Sequence, residues 1–478
     1  MATLTGKHTL AQMLIAEGVE YIFGNPGTSE TPLLDVLQDY PQLKYIQALQ
    51  EGTAVGMADG YARATGRPAF ANIHIAGGLA NGISGLYNAF RGGTPLVLTA
   101  GNSDTRMMLH EPTLSGNLVE MTSQFTKWSA EVLHPSDLPV AVRRAFKEAK
   151  TPPQGPVFLS FPWDTMDDTS DVEIAGSSPG FFRTRPDTAA IEQASRLLSQ
   201  AKNPIIILGD RVAQSGASAE LVQVAERLGA RVYAASFSEV NFPTSHPLYG
   251  GMFNTSNPRT KDLFAGADVV LAVGANIFSS FLYVEDAFLE TSTKLIHLDN
   301  APREVEKIYA TEVGILCDPK TGLAELSQAL DQDMSAAAKE SSATRATSWG
   351  EQKRSADEAQ KKRAQAKWEN RPMPVERMMH ELAQGVPANT ILANEAITSS
   401  PALMGAFTID EPGSMYAIRG GALGWGMPGA LGVQLANPGR PVLAVVGDGA
   451  SLYTVQALWT ACRYNIPVVY AICNNRAY

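Results

Sequence analysis

Val442-Leu-Ala-Val-Val-Gly447-Asp448-Gly449-Ala450-Ser451 is followed, after a segment of helical pattern from Thr454 to Tyr464, by Val468-Val-Tyr-Ala-Ile-Cys473-Asn474-Asn475. The two apolar runs read as buried parallel strands, so the stretch is a βαβ unit. Asp448 closes the first strand and Asn475 the second. In an open parallel sheet both carboxyl ends face one crevice, where ligands bind. Gly447 and Gly449 let the backbone approach a ligand closely. A carboxylate and an amide oxygen there suit a hard cation that also holds phosphate oxygens, which favours Mg²⁺.

Two readings of the region compete. Gly424-Trp-Gly426-Met-Pro-Gly429 fits the dinucleotide pattern G-x-G-x-x-G, and Asp448 follows 448 − 429 = 19 residues later. That reading leaves Gly449, Asn474 and Asn475 without a task, and a ligand-free glycine turn leaves the Asp–Asn spacing without one. The G-D-G sequence followed by N-N, with 475 − 448 = 27 residues between Asp448 and Asn475, resembles the thiamine diphosphate (ThDP) motif. The resemblance implies that Asp448, Asn475 and the main-chain carbonyl of Ala477 hold Mg²⁺, which bridges the diphosphate.

A chain of 478 residues predicts about three domains. Apolar content of 45% and charged content of 18% describe a soluble globular protein with ample core. The net charge is −10 and no Lys- or Arg-rich face stands out, which argues against nucleic acid as a partner. Three scattered cysteines argue against a disulfide framework and fit a reducing compartment, with Cys473 expected in the core. No run reaches the ~18 apolar residues of a membrane span. Residues 1–20 read as an amphipathic helix, not a signal peptide, so no membrane association and a cytoplasmic location are expected.

Strand and helix patterns alternate along the chain, which predicts α/β architecture with three doubly wound parallel-sheet domains. The first, 1–165, has strands at 21–23, 45–48, 69–75, 95–100 and 157–161, with Ala76-Gly-Gly78 as a glycine loop. Gly52 to Thr65 reads as a helix of small residues, suited to a close interface. Residues 164–186 read as a linker. The middle domain, 187–332, has strands at 204–208, 231–235, 269–273 and 294–298, and 331–371 reads as a solvated helical connector. The third, 373–478, is expected to be incomplete as a sheet.

Glu51 begins the small-residue helix, where a carboxylate also favours the helix dipole. Ala48-Leu-Gln-Glu51-Gly-Thr-Ala-Val-Gly-Met-Ala-Asp-Gly60-Tyr-Ala resembles the pyrimidine-binding domain of ThDP enzymes. There such a glutamate hydrogen-bonds N1′ of the aminopyrimidine, in a largely apolar site that raises its pKa. Phe23-Gly-Asn-Pro-Gly27-Thr28-Ser-Glu30 resembles the first loop of the benzoylformate decarboxylases, which implies that the Thr28 hydroxyl holds a substrate carboxylate. Asn72-Ile-His74-Ile-Ala-Gly-Gly78 matches a loop whose histidine lies beside the cofactor, although a histidine at a strand end also serves as a plain hydrogen-bonding residue.

Asn394-Glu395-Ala-Ile-Thr398-Ser399 resembles the diphosphate-facing loop, and Gly420-Gly421-Ala422-Leu423-Gly424 the segment that grips the aminopyrimidine. By resemblance, the Gly421 carbonyl accepts from the 4′-amino group and Leu423 wedges between the rings. Gly449, Ala450 and Ser451 open the following helix, where amides and the Ser451 hydroxyl reach the diphosphate. The family's second histidine falls on Phe281, with His110 the remaining candidate for that acid. The middle domain lacks the arginine-rich pattern that holds FAD in acetolactate synthases, so no flavin is expected.

The chain thus resembles the ThDP-dependent 2-oxo acid decarboxylases. The resemblance implies decarboxylation of an aromatic or branched 2-oxo acid, such as benzoylformate, to an aldehyde through a C2 ylid and an enamine. It also implies a homodimer or homotetramer. A carboligase or lyase on the same cofactor, and a non-catalytic ThDP-binding relative, remain the alternatives.

Overall fold

The computed structural model describes residues 2–180, 182–285 and 287–476. The chain forms two compact units. Unit 1 comprises Met1–Phe182, Pro387–Ser400 and Tyr416–Tyr478, and unit 2 comprises Arg183–Val386 and Pro401–Met415. Each is described by itself.

Unit 1 opens with β1 (Ala2–Thr5), followed by β2 (Tyr21–Asn25), β3 (Lys44–Gln47), β4 (Ala69–Ile73), β5 (Leu96–Asn102), β6 (Ser129–Glu131), β7 (Val157–Pro162) and β8 (Thr169–Val172). Six strands make a parallel sheet in the order β3-β2-β4-β5-β7-β6. The order reverses between β2 and β4, which is where such a sheet opens its ligand crevice. β1 and β8 pair antiparallel outside that sheet. The linker expectation is corrected there, because Thr169–Val172 finds a backbone partner in a segment the sequence had read as helix; the helix starts only at Gly6.

Unit 2 carries β9 (Pro204–Leu208), β10 (Arg231–Ala234), β11 (Tyr249–Met252), β12 (Val269–Val273), β13 (Lys294–Asp299) and β14 (Val313–Leu316), in the order β11-β10-β9-β12-β13-β14. β11 and β14 are edge strands of four residues, too short to stand out in the pattern. The connector is helical over Ala336–Gln365 and buries Ser342 and Gly350.

The second sheet of unit 1 is β16-β15-β17-β18, from β15 (Ile391–Glu395), β16 (Met415–Ala417), β17 (Val442–Gly447) and β18 (Val468–Cys473). β15, β17 and β18 run parallel. β17 is largely buried, but β18 is the outer strand and none of its six residues is buried, so Cys473 is not a core residue as expected. The helix expected over 454–464 is shorter, Ala457–Arg463, and a separate short helix, Asp448–Tyr453, precedes it.

The dinucleotide reading fails on topology. Its loop follows β16, and β15 lies between β16 and the strand that ends at Asp448. A fingerprint needs those two strands side by side. The glycines pack helices instead. A Cβ on Gly60 would strike the Gly429 carbonyl, and one on Gly432 the Met57 carbonyl. The Glu51–Thr65 helix is therefore buried within its own unit against Gly426–Ala436, and the expectation that it forms a contact between copies is corrected.

The expected glycine loop 76–78 is the first turn of the helix Ile75–Gly92. Gly78, Gly82 and Gly85 let that helix settle onto Glu51, Ile73 and Val55, each with no room for a Cβ. One apolar cluster runs from Phe23 and Ile73 through Met57 to Trp425 and Val446 and joins the two sheets of unit 1. Among the described residues, no helix is long and apolar enough to cross a membrane.

Candidate active site

Asn25 ends β2, Glu51 starts the helix after β3, and His74 links β4 to the next helix. All three stand at the carboxyl ends of strands around the reversal point. Gln50 caps the Glu51 helix by accepting from the Thr53 N–H. Glu51 is 6% exposed. Its Oε1 accepts from Asn25 Nδ2 at 2.9 Å and its Oε2 from Asn81 Nδ2 at 3.0 Å. The apolar surroundings expected for Glu51 are therefore corrected: two amides satisfy the carboxylate and aim it.

His74 is aimed by a second buried carboxylate. Glu30, 2% exposed, accepts from the N–H groups of Gly27 and Gly101 and from the Ser29 hydroxyl. Its Oε2 lies 2.8 Å from His74 Nδ1. A carboxylate at that distance calls for a proton on Nδ1, which leaves Nε2 as the free ring nitrogen. Gly27 must be glycine because a Cβ would enter the imidazole ring. Thr28 is exposed at the start of the Thr28–Glu30 turn. His110 is exposed at the end of Thr105–His110. Phe281 belongs to unit 2 and is 95% exposed.

The second sheet of unit 1 brings Asp448 and the asparagines together. Gly447 pairs with Cys473, so Asp448 and Asn474 leave neighbouring strand ends side by side, with Asn475 next. Asp448 and Gly449 are half-buried, Ala450 is buried, and Asn475 is exposed. The Ser451 hydroxyl donates to the Asp448 carbonyl at 2.7 Å, so its proton is not directed outward as expected. Thr398 is exposed and Ser399 half-buried in the turn after β15. Ala477 lies outside the described residues. Among the described residues no group of three His, Cys, Asp or Glu side chains could hold a metal. A cation at Asp448 would share one carboxylate with amide, carbonyl and ligand oxygens, a donor set that fits Mg²⁺ bound to a diphosphate.

The loop 419–426 completes this half. Gly420, Gly421 and Gly424 have φ of +74°, +94° and +106°, a backbone that favours glycine. Arg419 donates to the Gly92 carbonyl, and Asn88 bonds both the N–H and the C=O of Ala422, at 3.0 and 2.7 Å. Glu395 accepts from the N–H groups of Gly424, Trp425 and Gly426 at 2.8, 3.2 and 2.6 Å. Burial pushes the Glu395 carboxyl up to about 7, against the pull of those three donors. Gly421 is exposed, and Leu423 is half-buried against the core.

One helix shows how far apart the two halves stand in a single chain. Glu51 lies over Gly78 and Gly82 of Ile75–Gly92, and the glycine loop hangs from Asn88 of the same helix. Gly78 and Gly82 lie 88 − 78 = 10 and 88 − 82 = 6 residues before Asn88, roughly 15 and 9 Å along the axis.

The sequence reading did not single out Asn25, Glu30, Asn81, Asn88 or Glu395 as site residues. The one signal for Asn81 and Asn88 was amides within an otherwise small and apolar helix.

Residues 4–121 match the N-terminal TPP binding domain of thiamine pyrophosphate enzymes, 191–326 the central domain, and 397–478 the C-terminal TPP binding domain. A benzoylformate decarboxylase of Pseudomonas aeruginosa is 31% identical over 473 residues, covering 98% of this chain and 85% of that protein. A probable acetolactate synthase large subunit of Methanocaldococcus jannaschii is 28% identical, covering 99% and 80%. The crystal structure of benzoylformate decarboxylase from Polynucleobacter necessarius superposes with a TM-score of 0.86 at 27% identity, covering 99% of this chain and 86% of that one.

Proposed function

The chain belongs to the thiamine pyrophosphate enzyme family, and from that premise we propose that it decarboxylates an aromatic or branched 2-oxo acid to an aldehyde and CO2, with Mg²⁺ as the metal. The observation that carries decarboxylation is the Glu30–His74 pair. The carbon that loses CO2 must gain a proton before an aldehyde leaves, and an imidazole whose Nδ1–H is held by a buried carboxylate can take up a proton from water at Nε2 and hand it on.

Thiamine diphosphate, when bound, supplies the carbon nucleophile and the electron sink for loss of CO2. Glu51 holds a proton at N1′ of the aminopyrimidine, and Asn25 and Asn81 keep its carboxylate in place. Gly421 and Leu423 orient that ring. Asp448, Asn475 and the Ala477 carbonyl hold Mg²⁺, with Thr398, Ser399, Gly449, Ala450 and Ser451 around the diphosphate. Thr28 holds the substrate carboxylate, and His110 contributes to the substrate pocket. The aminopyrimidine groups fall within 1–165 and the diphosphate groups within 373–478. The separation of the two halves along Ile75–Gly92 supports a two-fold assembly in which each site takes one half from each copy, as a dimer or a dimer of dimers.

A carboligase or lyase is the second reading. Phe281 stands where the decarboxylases have a further histidine, and an acetolactate synthase matches nearly the whole chain. With ThDP and Mg²⁺ but no acceptor, benzoylformate is expected to give CO2 and benzaldehyde in equal amounts. Turnover only after a second aldehyde or an acyl-CoA is added would transfer the assignment to the second reading.

A further inference from the structure

The sequence reading turned Asn394-Glu395 toward the diphosphate, but the Glu395 side chain takes another direction. It is 1% exposed and meets three consecutive backbone N–H groups at the junction of the glycine loop and the helix Gly426–Ala436. We propose that Glu395 is a positioning residue for the cofactor: by gathering the N–H groups of Gly424, Trp425 and Gly426, it fixes the loop that presents Gly421 and Leu423. This rests on the ThDP reading of the site.

Several observations support the role. The loop uses three left-handed glycines in five residues, a shape with little intrinsic preference that must be held from outside. Its middle is held by Asn88, and the Gly424 carbonyl accepts from the Thr454 hydroxyl at 2.7 Å, so Glu395 fixes its far end. Asp59 and Arg63 of the packed Glu51–Thr65 helix meet the Trp425 ring. The chemistry also calls for an acceptor on both oxygens. Oε1 takes two N–H groups and Oε2 the third, whereas a glutamine would set its amide hydrogens against the Gly426 N–H. Finally, the Glu395 backbone pairs with Val446 and its carbonyl lies 3.8 Å from where a Gly447 Cβ would stand, so one residue links the strand leading to Asp448 with the glycine loop.

The test compares the wild-type chain with Glu395→Gln and Glu395→Asp. Amide hydrogen exchange without cofactor is expected to quicken about 10- to 100-fold at residues 424–426 in Glu395→Gln, with the β2–β7 sheet unchanged. Calorimetry with ThDP and Mg²⁺ should show a dissociation constant raised by about the same factor, and Glu395→Asp, which keeps the charge, should lie between. If Glu395→Gln does not fold, Glu395→Asp decides: weaker ThDP binding with exchange altered only at 424–426 supports the role, and wild-type values overturn it. Faster exchange with unaltered ThDP affinity also overturns it. A wild-type chain that binds no ThDP overturns the ThDP reading itself, whereas tight wild-type binding equalled by Glu395→Gln overturns this inference alone.

Discussion

Replacing Glu51 by Gln is expected to lower kcat by about 10³-fold, the range a positioned acid–base group supplies. The side chain keeps its size, so packing against Gly78 and Gly82 survives. On the proposed function, what is lost is the group that holds a proton at the aminopyrimidine. Gln also sets one amide against the donor of Asn25 or Asn81, and rearranging that pair costs about 1 kcal/mol of stability. The effects should therefore separate. kcat falls steeply, KM and ThDP affinity move by less than about tenfold, and the thermal midpoint drops by only a few degrees. Steady-state kinetics and a melt on one preparation check this. A kcat within about tenfold of wild type would remove Glu51 from the chemistry.

Mixing a Glu51→Gln chain with an Asp448→Ala chain is expected to restore activity that neither has alone. If each site takes Glu51 from one copy and Asp448 from the other, a mixed dimer holds one site with both defects and one with neither. Random exchange makes about half the dimers mixed, so about a quarter of wild-type activity should return. The geometry behind this is the helix Ile75–Gly92, which meets Glu51 at Gly78 and Gly82 and holds the Gly420–Gly424 loop through Asn88. Activity no higher than the mean of the separate variants would mean that each chain completes its own site.

The parts of the fold that were readable are those that depend on apolar runs. β9, β12 and β17 are buried hydrophobic segments, and the sequence marks them directly. β6, β8 and β16 have three or four residues each and owe their existence to a neighbouring backbone, which no local pattern reports. The glycines from 424 to 432 misled in part, because packing between helices and phosphate binding both call for a missing Cβ. At the site, Asp448 and Asn475 were legible because the ends of parallel strands carry residues to one crevice. Glu30 and Glu395 were not: both lay within quoted motifs, but the direction of a buried carboxylate depends on which backbone N–H groups the fold brings to it. The Ser451 hydroxyl turned inward for a similar reason, since a carbonyl one turn back was the nearer partner.

The proposed Mg²⁺ and diphosphate at Asp448 are the part of the site most directly open to measurement. A calorimetric titration of ThDP into the wild-type chain, with Mg²⁺ and then with excess EDTA, tests it. Binding with Mg²⁺ that disappears in EDTA, and that Asp448→Ala lacks even with Mg²⁺ present, is the predicted result. ThDP binding of unchanged affinity in EDTA would contradict it.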